Sequence, residues 1–139
     1  MENVYKAPDA NLDSGNITYA KLTIMQILFS FTGRIGRKTY WLTALGMTVG
    51  MMVIAFILGF ILAVMGVDEQ AMNILFLVLY IPIIWISLAL QVKRWHDRDK
   101  SGWWFLINFI PVIGFIWALV ENGFLPGDTG ANRFGMPSA

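Results

Sequence analysis

Three charge-free stretches dominate the chain, at residues 41–67, 71–92 and 103–120. A run of about 18 or more apolar residues is a membrane-helix candidate, because about 20 residues at 1.5 Å each cross the hydrocarbon core. The first two stretches are predicted to be transmembrane helices, joined by the short link "VDEQ". The third is shorter and is interrupted by Pro111. As one helix it would rise only about 27 Å, so it either spans or dips in and returns around "NFIPVIG". Ahead of the first span, "KLTIMQILFSF" at 21–31 is apolar but short. On a helical wheel Thr23, Gln26 and Ser30 share one face, while Leu22, Met25, Leu28 and Phe29 lie away from it. Such a segment forms a helix lying in the interface or one packed beneath the bundle.

The two ends of the chain are polar. The opening "MENVYKAPDANLDSGNITYA" has no basic start followed by an apolar run, so no signal peptide is expected, and 1–18 is predicted to be a mobile polar tail. Residues 126–139 are turn-rich. The pattern therefore predicts an all-α integral membrane protein. It has one helical membrane domain at 19–125 and two transmembrane helices. A third segment spans or re-enters, and an N-terminal interfacial helix precedes them.

Polar and small positions inside the spans refine this picture. Gly46 and Gly50 form a GxxxG pair, and Ala55, Gly59 and Ala63 repeat the spacing of four on the opposite face. Small residues let helices approach closely, so the first span has two candidate packing faces, one of them available to a second copy. In the second span Asn73, Tyr80, Ser87 and Gln91, followed by Arg94, fall within about 60° of one face. Such a stripe serves interhelical hydrogen bonding or a solute path; the first is the simpler reading, because none of the four intramembrane residues ionises at neutral pH. Lys and Arg flank the spans asymmetrically. Arg34, Arg37 and Lys38 precede the first span, none lies in "VDEQ", and Lys93, Arg94, Arg98 and Lys100 follow the second. The positive-inside rule puts the N-terminus and the 93–102 loop in the cytoplasm.

Composition narrows the function classes. Apolar residues make up 57% and charged residues 14%, against about 25% charged in soluble domains, so a water-soluble globule would lack surface charge. A net charge of +1 gives no field that would favour nucleic acid. The absence of cysteine removes disulfides, thiolate catalysis and cysteine zinc sites.

The chemistry concentrates in "KRWHDRDKSGWW" at 93–104, which holds the chain's only histidine beside a carboxylate. Acid–base catalysis by His96 and Asp97 is one reading. Adjacent helical residues point about 100° apart, and Ser101 has no separate base or oxyanion glycine motif. One histidine with Asp97, Asp99 or Glu121 makes a poor transition-metal site. No catalytic residue, metal or cofactor is therefore assigned. A transporter would need an oligomer, because so few spans cannot enclose a pore. Binding fits better. Arg34, Arg37, Lys38, Lys93, Arg94, His96, Asp97, Trp103, Trp104, Asn132 and Arg133 are the candidate residues for an anionic lipid headgroup or a protein partner at the cytoplasmic face. The simpler alternative is that the cations fix orientation and the tryptophans anchor the interface. Ser101 is also a candidate cap for the third segment. Antiparallel spans joined by "VDEQ" bring Asp97 to the N-terminal arginines, so it should pair with Arg34 or Arg37, with Lys93 and Lys100 as local competitors.

Three segments in order carry a family resemblance. "FTGRIGRKTYW", "KRWHDRDKSGWW" and "PGDTGANRFGMP" resemble the corresponding motifs of Domain of Unknown Function 805, a family of small bacterial inner-membrane proteins. The resemblance covers roughly residues 25–137. Lys93 stands at the first basic position of the central motif, Trp95 replaces its usual Leu, and Met136 precedes Pro137 without the usual acidic residue. The resemblance implies a bacterial plasma-membrane location and supplies no reaction.

Overall fold

A computed structural model describes residues 19–138, so the predicted tail at 1–18 lies outside the described residues. Among the described residues the architecture is helical, with no β-sheet. Helix α1, Ile24–Phe29, starts at a capping box in which Thr23 and Gln26 satisfy each other's backbone N–H groups. Ile27 and Leu28 of this helix, with Leu22 just before it, pack against the core, while Ile24 and Met25 face outward. Gly33 then turns the chain at φ +88°, a conformation that favours glycine, before α2, Arg37–Val64. Gly66, at φ +72°, reverses the chain. Asp68 caps α3, Glu69–Asp97, by accepting from the Ala71 N–H at 3.0 Å.

Helices α2 and α3 have 28 and 29 residues, about 42 Å of helix each against about 30 Å of hydrocarbon. No residue of α2 is buried, and the buried residues of α3 all lie in its C-terminal half, from Ile86 to Asp97. Lipid exerts no hydrophobic force to bury apolar side chains, so packing concentrates where polar groups need partners. The small core of Ile35, Ile86 and Leu90 sits at that same end. Toward the turn that joins the helices, a Cβ on Gly59 would meet the Phe76 ring at 3.7 Å, so this face of α2 approaches α3. Gly46 and Gly50 face open space. A cleft of about 460 Å³ separates the two helices, and Tyr80, Ser87 and Gln91 of the polar stripe line it opposite Thr48. Asn73 is not part of its wall.

The third apolar segment folds back on itself. Ser101 caps a 3₁₀ helix, Gly102–Phe109. After Pro111, Val112 takes φ +61°, and α4, Ile113–Leu119, runs the other way into one π turn, Val120–Phe124. Gly114 lies so close to the Ile107 carbonyl that a Cβ would overlap it. Asn108 donates to the Gln91 side chain at 2.6 Å, while Glu121 meets Lys100 at 2.8 Å and Arg98 at 2.5 Å. The first limb thus runs beside α3, while α4 packs on that limb and only the π turn beyond it meets α2 and α3. The tail then crosses to the N-terminal segment, where Ala20 N–H donates to Pro137 and Gly36 N–H to the Ser138 hydroxyl.

Candidate functional site

The final residue of α3 organises the polar end. Asp97 accepts from Arg34 through one carboxylate oxygen at 3.1 Å and from Arg94 through the other at 2.5 Å. Both arginine side chains are fully buried. An arginine offers five N–H donors in a rigid fork, and here the forks also collect backbone carbonyls. Arg34 donates to Gly130 and Asp128 at 2.6 Å, to Gly135 at 3.0 Å and to the Asp97 carbonyl. Arg94 donates to Asn122 at 2.5 Å, Leu125 at 2.8 Å and Ile35 at 3.3 Å. One carboxylate and two forks therefore join the start of α2, the end of α3, the π turn and the tail. The Asp128 N–H closes the arrangement on the Asp97 carbonyl at 2.8 Å. Gly127 is required beside it, because a Cβ there would overlap the Asp97 carboxylate.

The expected long-range pair is thus Arg34 with Asp97. The local partner differs from expectation: it is Arg94, three residues earlier, because Lys93 and Lys100 are engaged elsewhere. Lys93 is fully buried and its ammonium caps α1 by donating to the Ser30 carbonyl. Lys100 pairs with Glu121 and lies over the rings of Trp95 and Trp104. Burial works to raise the Glu121 carboxyl, but the Lys100 hydrogen bond and the charges of Arg98 and Lys100 outweigh it and hold it below the usual carboxylate range. Asp99 takes φ +56° and pairs with Arg133 at 3.1 Å, a hydrogen bond that lowers its pKa.

His96 does not pair with Asp97. Its Nδ1 lies 3.1 Å from the Gly33 carbonyl, which only accepts, so Nδ1 carries a proton. The ring stacks on Phe134 with centroids 3.9 Å apart, and Asn132 donates to the His96 carbonyl at 2.8 Å. The candidate residues consequently separate into two groups. Arg34, Lys93, Arg94, His96 and Asp97 are inside, with Asn132 bound to them. Arg37, Lys38, Trp103, Trp104 and Arg133 are on the surface. Arg37 reaches the Phe124 carbonyl at 3.0 Å, and Trp41 donates to Gly123 at 2.8 Å. Sequence reasoning did not identify the carbonyls of Asn122, Leu125, Asp128, Gly130 and Gly135, because backbone acceptors leave no mark on residue type. The close glycine at 127 within "PGDTG" was the available signal.

Residues 28–136 match the family described as "Protein of unknown function (DUF805)". The chain is 34% identical over 116 residues to the inner membrane protein YhaI of Escherichia coli (strain K12), covering 82% of this chain and 90% of that protein. It is 31% identical over 115 residues to the inner membrane protein YhaH of the same strain, covering 82% and 91%. To the uncharacterized protein YiiR it is 30% identical over 138 residues, covering 82% and 89%. These relatives support a bacterial inner-membrane location. No solved structure gives a significant match.

Proposed function

The chain belongs to the DUF805 family, and from that premise we propose that it is an inner-membrane binding module that holds anionic lipid headgroups at the cytoplasmic face. Helices α2 and α3 cross the bilayer, and 102–124 re-enters from the cytoplasmic side. That orientation rests on charge: the turn between α2 and α3 carries Asp68 and Glu69 and no cation, whereas Arg37, Lys38, Arg98 and Lys100 gather at the opposite end. Re-entry rests on the fold-back of the two limbs, which returns Glu121 to Arg98 and Lys100 at the end of α3. Asn108 meets Gln91, six residues before Asp97, a depth of about 9 Å along the helix.

The observation that carries the binding role is the division of the cations. Arg34 has all five donors and Arg94 four of its five taken by Asp97 and backbone carbonyls, and both side chains are fully buried, so they build the platform and are closed to a surface ligand. Arg37 and Lys38, exposed at the start of α2, retain free donors. Such cations near a surface attract anionic lipid by about 1 kcal/mol each. Replacing both Arg37→Gln and Lys38→Gln is expected to lower retention of phosphatidylglycerol relative to phosphatidylcholine, by up to roughly 30-fold if both terms are lost. Lipid co-purifying with the folded protein, read by native mass spectrometry, measures this. Unchanged retention would leave these cations with an orientation role alone.

A further inference from the structure

A second cavity, of about 410 Å³, lies on the opposite side of α3 from the α2–α3 cleft. Leu88, Val92 and His96 give it one wall from successive turns of α3. Phe31, Ser101 and Phe134 supply walls from the other segments at this end. Each of the three motif segments singled out in the sequence thus contributes a side chain to one cavity. Its volume falls within the range of about 300–1,000 Å³ usual for small-molecule sites.

The cavity is apolar except at His96 and Ser101. His96 is nine-tenths buried, at 9% exposure. Its Nδ1 is fixed on the Gly33 carbonyl, which leaves Nε2 of the neutral ring as a bare acceptor. Among the described residues Nε2 has no hydrogen-bond partner. Stacking on Phe134 fixes the ring plane. Gly102 closes the 3₁₀ segment onto this site: a Cβ there would lie 2.8 Å from Val92 and 3.6 Å from His96 Nε2. The Ser101 hydroxyl accepts from the Trp103 N–H at 3.4 Å, so its own proton is available to a second acceptor.

We propose that this cavity binds a neutral, hydroxyl-bearing amphiphile, its chain against Leu88 and Phe31 and its hydroxyl donating to His96 Nε2. An anionic group is disfavoured because no cation lines the cavity. A cationic group is disfavoured because three buried cations share this end, Arg34 and Arg94 on the one carboxylate of Asp97 and Lys93 on the Ser30 carbonyl. A hydroxyl gives the donor that Nε2 lacks, and its oxygen can accept from Ser101. This site is separate from the headgroup reading and does not depend on it.

His96 is the only histidine in the chain, so histidine-selective ¹⁵N labelling reports this ring alone. The full chain in phosphatidylcholine nanodiscs would be titrated with 1-decanol, and in parallel with decane, decanoate and decylamine. Decanol is expected to move the Nε2 resonance saturably while Nδ1 keeps the signature of its bond to Gly33. The other probes should leave Nε2 in place. Leu88→Trp, which fills the cavity, should abolish the decanol response. No saturable change with decanol would overturn the proposal. So would an equal response to decane, decanoate or decylamine, or a response that survives in folded Leu88→Trp. The wild-type probe series decides the matter even if that variant does not fold.

Discussion

Asp97 and Arg34 form a buried ion pair, and further donors of the arginine are held by backbone carbonyls of the tail. Their pairing was readable because "VDEQ" forces α2 and α3 to run antiparallel, which brings the ends at 34 and 97 together. The depth of the pair was not readable. It depends on carbonyls from the tail and the π turn, which any residue could supply. That burial separates two roles for Arg34. A cation that only orients the chain can be lysine, because the positive-inside rule counts charge. A fork that holds Asp97, Gly130, Gly135 and Asp128 together cannot. Arg34→Lys is therefore expected to cost about 3 kcal/mol in folding stability, as several hydrogen bonds to a buried charge are lost. Asp97→Asn is expected to cost about 3–5 kcal/mol, because it leaves two buried guanidinium groups without their counter-ion. Thermal unfolding in detergent measures both. A Tm for Arg34→Lys equal to wild type would return this arginine to a purely topogenic role.

At the scale of elements, α2 and α3 were legible because each apolar run is long enough to allow one structure only. The segment 103–120 was ambiguous for the same reason in reverse: it is too short to require a crossing. Its fold-back depends on Val112 at φ +61°, a conformation that a β-branched residue rarely adopts and that no local signal announces. It also depends on Gly114 against the Ile107 carbonyl. The start of α1 was readable in principle, since Thr23 and Gln26 have capping-box spacing. The same two residues also fit a polar helix face, and the capping geometry is what they adopt. Gly114→Ala should force the limbs apart at a cost of about 1–3 kcal/mol, the usual penalty for overpacking. Faster proteolysis between 105 and 115, with α2 and α3 still protected, would show it. An unchanged digestion pattern would mean that the two limbs do not depend on this contact.

The whole molecule is two long helices tied at one end. At the tied end each arginine reaches into segments far apart in sequence; Arg34, for example, binds the carbonyl of Gly135. At the other end one capped turn suffices. If 102–124 re-enters, the tail returns to the side where α3 ends, and the carbonyls of Asp128, Gly130 and Gly135 can meet Arg34 without any group crossing the bilayer. A crossing third segment would place the tail on the far side and leave Arg34 and Arg94 short of acceptors. The side on which residue 131 lies therefore tests the account most directly. The chain has no native cysteine, so single substitutions Asp68→Cys, Asp99→Cys and Ala131→Cys can be probed in intact cells with a membrane-impermeant thiol reagent. Asp68→Cys is expected to label from outside, while Asp99→Cys and Ala131→Cys label only after permeabilisation. Labelling of Ala131→Cys from outside, with Asp99→Cys still protected, would contradict the account.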